Sequence, residues 1–137
     1  MSRDQIRAGY AIVIGTGMLG LWGLFSATGQ IPELVTAPYE IGYHLAAELL
    51  TAFALLATGV GLLRQLTWAR SIYPVALGML LYTVINSAGY YAQRGDVTMV
   101  GMFSVLTIAT IVLIGDYVTS RDQSMSTVEA EPGDLSA

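Results

Sequence analysis

Four apolar runs, each long enough to cross a hydrocarbon layer, leave this chain few folds to choose from. Ala8–Thr28, Ser71–Gln93 and Val97–Gly115 hold no Asp, Glu, Lys or Arg, and Ile41–Leu63 is as long but carries His44 and Glu48. A hydrocarbon core about 30 Å thick needs roughly 20 apolar residues at about 1.5 Å rise each. The expectation is an all-α integral membrane protein, a four-helix up-down-up-down bundle with spans at about 8–28, 41–63, 71–93 and 97–116. With 137 residues, 54 % of them hydrophobic and 12 % charged, one bundle is all the chain can build. A soluble bundle would repeat a charged face at helical period, and these runs have none. The first run, about 21 residues, exceeds a 7–15-residue signal core and reads as a retained helix.

Orientation follows from arginine, because the chain contains no lysine. Arg3, Arg7, Arg64, Arg70 and Arg121 fall on one side of the expected spans and Arg94 alone on the other. By the positive-inside rule both termini are cytoplasmic, which places the protein in the cell membrane as a multi-pass chain. The connection from Gly29 to Glu40 carries Glu33, Glu40, Pro32 and Pro38 without a basic residue, as an outer loop should, and is long enough to cap the mouth of the bundle. The connections Arg64–Arg70 and Arg94–Asp96 are short and force neighbouring spans to be antiparallel. Residues 118–137, rich in Ser, Thr, Asp and Glu, read as a disordered acidic cytoplasmic tail. An acidic chain excludes nucleic acid as a partner, and the lack of cysteine excludes thiol chemistry and disulfides.

Packing in lipid favours small residues where helices touch. Gly17, Gly20 and Gly23 with Thr16 form such a stripe in the first span. Ala47, Thr51, Ala54, Thr58 and Gly61 form one in the second, so these two spans are expected to pack closely. Trp22, Trp68, Tyr73, Tyr90, Tyr91 and Tyr117 lie towards span ends and read as interfacial anchors.

One constellation carries a functional expectation. His44 and Glu48 are i and i+4 and share a helix face. An ionisable side chain at this depth costs roughly 2.5–3.5 kcal/mol to insert and defaults to a functional role. Glu48 lies seven residues inside the outer edge, about 10 Å, and Asn86 and Ser104 fall at the same depth on the third and fourth spans. Tyr82, Asn86 and Tyr90 repeat at i+4. The expected site is an outward-facing pocket of His44, Glu48, Asn86, Tyr90, Tyr82 and Ser104 that binds a small molecule, a quinone or a lipid, or handles a proton. The structural alternative is a Glu48 satisfied by hydrogen bonds to Asn86 and a tyrosine. One His and one Glu are too few for a zinc or di-iron site, so no metal and no cofactor is expected. Asp116 ends the fourth span and is expected to be solvated.

Glu48-Leu49-Leu50, Leu55-Leu56-Ala57-Thr58-Gly59 and Leu62-Leu63-Arg64 form an acidic residue, a leucine-rich run with a glycine eleven later, and a closing arginine. This stretch resembles the second span of the DoxX-like membrane proteins. The four-span layout and glycine-rich first span are also similar. The resemblance implies a small four-helix bundle that serves as a subunit of a membrane oxidoreductase assembly, as in thiosulfate:quinone oxidoreductase. A basic residue near Gly23-Leu24-Phe25, expected from that family, is missing, so only Glu48 is carried over. The expected function is an accessory or quinone-binding subunit without catalysis of its own, with redox subunits, the bilayer or a second copy of the chain as partners. The alternatives are a small oligomeric proton- or ion-coupled transporter or channel, and a purely structural or regulatory protein.

Overall fold

The computed structural model describes residues 1–129. Five helices follow in order: α1 (Arg3–Ala27), α2 (Glu33–Thr36), α3 (Pro38–Leu63), α4 (Thr67–Gln93) and α5 (Val97–Glu129). The described residues form no strand, so the all-α expectation holds. Four of the helices, α1, α3, α4 and α5, are long and apolar enough to cross a membrane.

Local chemistry sets the helix ends. Ser2 caps α1 in a capping box with Gln5, each side chain bonding the other's backbone N–H. Pro38 occupies the first turn of α3, where a missing N–H is harmless. Asp96 caps α5 by accepting from the Met99 N–H at 3.1 Å. Gly95, with φ +71°, makes the left-handed step between α4 and α5. Between α3 and α4 only Arg64, Gln65 and Leu66 are non-helical, because α4 begins at Thr67, four residues before the apolar run.

The tail expectation is corrected over Val118–Glu129, which continue α5 without a break. No Gly or Pro interrupts the chain between Gly115 and Pro132. Ser120, Ser124 and Thr127 hydroxyls fold back onto carbonyls one turn earlier, so helix propagation meets no obstacle. The remainder of the expected tail, 130–137, lies outside the described residues.

Neighbouring helices run antiparallel. Gly15 of α1 meets Ala52 and Leu55 of α3, while Gly59 of α3 meets Ala8 and Ala11 of α1. Arg7 and Tyr10 of α1 likewise pair with Asp116 and Thr110 of α5. The expected close packing of α1 on α3 is present, but through Ala8, Ala11 and Gly15. Gly17, Gly20 and Gly23 have no atom within 4 Å of where a Cβ would sit. Their stripe lies one helix face away from the seam. A Cβ at Gly59 would fall 2.7 Å from Ile12 Cγ1 and 3.2 Å from the Ala8 carbonyl oxygen, closer than side-chain packing allows.

The exterior is apolar, unlike that of a soluble bundle, and several polar side chains are buried in a mainly apolar core. Val13, Leu24, Leu50, Phe53, Val60, Ile72, Val75, Ile85, Val105, Ile108 and Val112 lie on the outside, whereas Glu48, Thr51, Thr58, Thr83, Thr110 and Arg7 are buried. The threonines satisfy themselves: Thr51, Thr58 and Thr110 donate to the carbonyls of Ala47, Ala54 and Leu106, and Thr83 to that of Leu80. Each then presents little more than a small, apolar face to its neighbour.

Tyr73 and Tyr117 are not interfacial anchors but core residues, at 0 % and 7 % exposure. Pro74 explains Tyr117. A proline inside α4 leaves the carbonyl of Arg70, four residues earlier, without its helical N–H, and the Tyr117 hydroxyl donates to that oxygen.

Gly59→Val is expected to lower stability by about 1–3 kcal/mol through overpacking of the α1–α3 seam. Gly20→Ala, in open space, should leave it unchanged or slightly higher. Thermal unfolding of the two variants in one detergent compares them directly, and equal melting temperatures would rule out the seam as a tight contact.

Candidate functional site

Glu48 reaches its position because α3 turns the His44–Glu48 face towards the end of α1. Its carboxylate is 6 % exposed overall and accepts a hydrogen bond at 3.5 Å from the Trp22 indole N–H through Oε2. His44 Nε2 stands 3.9 Å from Oε1, an ion-pair distance when the imidazole is protonated but too long for a hydrogen bond. Trp22 also meets His44 edge-on, ring centres 5.8 Å apart. Oε1 is buried without a hydrogen-bond partner. An unmatched buried acceptor costs on the order of 1–3 kcal/mol, so this atom is the exception in a bundle whose other buried side-chain polar atoms, among the described residues, are matched.

Glu48 borders a cavity of about 290 Å³ enclosed by α1, α4 and α5 as well. Val13, Ile14, Gly17, Met18 and Leu21 supply the α1 wall, and Met102, Phe103 and Leu106 the α5 wall. From α4 come Leu80, Thr83, Val84 and Ser87. Gly17 thus has a role that the packing argument did not anticipate: its missing side chain leaves room in this cavity. The space is apolar with Glu48, Thr83 and Ser87 as its polar points, the composition typical of a small-molecule cleft.

The expected six-residue pocket is only partly assembled. His44 and Glu48 come together as the i, i+4 spacing required, and Trp22 joins them from α1. Asn86, Tyr82 and Ser104 do not join them: all three lie on the outer surface of the bundle. Ser104 donates to the carbonyl of Val100 one turn earlier. The depth argument was sound and the rotation was not. Thr83 and Ser87, each one residue from the expected stripe, face the cavity instead, because one residue is about 100° around a helix.

Tyr90 belongs to a second cluster at the same end. Glu33 Oε1 accepts from the Tyr90 hydroxyl at 2.6 Å and from Arg94 Nη2 at 2.5 Å, and the Arg94 guanidinium lies 4.0 Å from the Tyr90 ring centre. This clasp ties the connection between α1 and α3, which contains α2, to the end of α4. The Tyr90 hydrogen bond foremost, with Arg94 adding to it, holds the Glu33 carboxyl below its ordinary value of 4.5.

At the opposite end Asp116 is not simply solvated. Arg7, its side chain 8 % exposed, donates through Nη2 at 2.6 Å and Nε at 3.2 Å to Asp116 Oδ2, and Asp4 and Ser120 take further donors. A buried arginine needs this many acceptors. The i, i+3 pair Asp4–Arg7 was visible in the sequence, whereas the Asp116 pairing requires knowing how α1 and α5 are rotated.

A carboxylate with a lowered pKa stabilises the fold above its unfolded value and loses that contribution as pH falls through the folded one. The protection factors of the Glu33–Ala37 amides, taken against the intrinsic exchange rate at each pH, should therefore hold from pH 8 to about 5 and then fall below the usual carboxylate range. Glu33→Gln should exchange rapidly throughout. Identical protection in the variant would show that α2 is held by other contacts.

No curated protein and no solved structure matches the chain. A family model covers residues 1–129, and the chain belongs to that family, the Domain of unknown function DUF8058.

Proposed function

We propose that this is a multi-pass membrane protein whose Glu48 cleft binds the head group of a small amphipathic molecule of the quinone class. Four long apolar helices whose exterior is as apolar as their interior support the bilayer reading. Five arginines gathered at one end of the bundle support cytoplasmic termini. Reporter fusions after Glu129 and within Glu33–Thr36 read that orientation, cytoplasmic for the first and external for the second.

The observation that carries the ligand reading is Glu48 Oε1, buried and unmatched at the wall of an apolar cavity. A ring bearing a hydroxyl, as the reduced form of a quinone does, would donate the missing hydrogen bond to Oε1 and fill the space between Met18, Val84 and Phe103. A volume of about 290 Å³ is at the lower end of the range for ligand clefts, the size for a ring with its tail leaving between helices. The resemblance of Glu48–Arg64 to the DoxX-like second span adds the context of an accessory subunit in a membrane redox assembly. A proton or ion channel is less well supported: beyond Glu48 the interior is closed by Leu55, Ala76, Leu77 and Leu80, all at most 1 % exposed.

Trp22, bonded to Glu48, is a built-in reporter. Decyl-ubiquinol, kept reduced and titrated into the full chain in nanodiscs, should quench its fluorescence saturably, and Trp22→Phe should abolish that quench. Glu48→Gln should weaken binding about tenfold or more, the value of a hydrogen bond to a charged group. Glu48→Leu should remain at least as stable as the parent, since it removes a buried charge. Quenching that does not saturate, or is unchanged in Glu48→Gln, would overturn the assignment.

A further inference from the structure

The end of the bundle opposite Glu48 carries a second, open cleft of about 400 Å³ between the start of α1, the start of α4 and the extension of α5. Its polar wall has Arg7, Arg70 and Arg121 against a single acid, Asp4. These arginines differ in what they can still do. Arg7 is buried and spends its donors on Asp116, Asp4 and Ser120. It forms the fixed base of the cleft. Arg70 gives Nε and Nη2 to one oxygen of Asp4, at 3.2 and 3.0 Å, which leaves Nη1 unengaged. Arg121 is exposed and makes no ion pair among the described residues. Asp4 is shared between Arg7 and Arg70, so the cleft keeps a net positive charge.

Its surroundings select the ligand. Tyr117 and Met125 make an apolar ledge in the cleft. Ile6, Ile72 and Val118, next along their helices, are exposed side chains on the adjoining outer surface. Charge above and hydrocarbon-facing residues beside it match a molecule with an anionic head and acyl chains. The α5 extension is what closes this cleft, because Arg121 and Met125 belong to Val118–Glu129, the segment beyond the expected span.

We propose that this cleft binds the phosphate of an anionic phospholipid headgroup, with Arg70 and Arg121 as its direct donors and Arg7 as a positioning residue. Basic pockets between helices on the cytoplasmic side commonly hold such headgroups, and guanidinium groups suit phosphate oxygens. The proposal rests on the bilayer reading above and is independent of the Glu48 cleft.

The test uses the full chain, delipidated in a neutral detergent. Dioctanoyl phosphatidylglycerol, dioctanoyl phosphatidylcholine and inorganic phosphate are titrated separately, with the melting temperature and native mass spectrometry as readouts. Phosphatidylglycerol is expected to bind saturably and raise the melting temperature, and phosphatidylcholine to do neither. Inorganic phosphate matching phosphatidylglycerol would identify a free-anion site and overturn the lipid assignment. Arg121→Gln, at an exposed residue in no ion pair among the described residues, should weaken phosphatidylglycerol about fivefold, as should Arg70→Gln, in line with the contribution of one basic residue near an anionic surface. Arg121→Lys should restore part of the affinity. Neither variant should change decyl-ubiquinol quenching of Trp22, which keeps the two clefts separable. Equal binding of the two lipids, or full affinity in both Gln variants, would refute the proposal.

Discussion

The close approach of α1 and α3 at Gly15 and Gly59 fixes the remainder of the bundle. Helices in lipid gain little by hiding apolar surface from one another, so the contact must come from shape. Ala8, Ala11 and Gly15 on one side and Ala52, Leu55 and Gly59 on the other allow backbone to approach backbone, with a Cβ at Gly15 only 3.0 Å from the Ala52 carbonyl oxygen. Once that register is set, Trp22 lies two turns beyond Gly15, beside Glu48, and Arg7 lies two turns before it, facing Asp116. Both clefts are therefore consequences of one seam.

The interior can be read as an account of hydrogen bonds. Threonine hydroxyls return to their own helices, Tyr10 pairs with Thr110 at 2.8 Å, and Tyr117 completes the carbonyl that Pro74 leaves open. Arg7 is surrounded by acceptors. Against this background the unmatched Oε1 of Glu48 stands out, because every comparable group among the described residues has been provided for. In the bilayer proposed above, no water would make good the deficit. That contrast, more than the presence of a carboxylate, marks the cavity as a site.

Much of this was legible from the chain. Span number and the turn at Arg94–Asp96 follow from run length and from Gly95, and the His44–Glu48 pair from its spacing. Rotation was not legible. A soluble helix announces its inner face by polarity, but here both faces of α4 are apolar, so nothing in the sequence separates the Tyr82–Asn86 stripe from Thr83 and Ser87. The same ambiguity hid the pairing of Arg7 with Asp116 and pointed to Gly17, Gly20 and Gly23 for a seam that Ala8, Ala11 and Gly15 make. The extension of α5 escaped notice because Val118–Glu129 is polar, and polarity was read as disorder although no helix breaker lies within it.

The central claim is that a ring-bearing molecule enters the cavity beside Glu48, and photolabelling locates it. A hydroquinone carrying a diazirine on a short tail, irradiated with the full chain in nanodiscs and mapped by peptide mass spectrometry, should mark Met18, Ser87 or Phe103, and unlabelled decyl-ubiquinol should compete it away. Labelling confined to the outward residues Val105, Ile108 and Val112, unaffected by competitor, would mean that the probe only dissolves in lipid, and the account of Glu48 as a ligand anchor would be wrong.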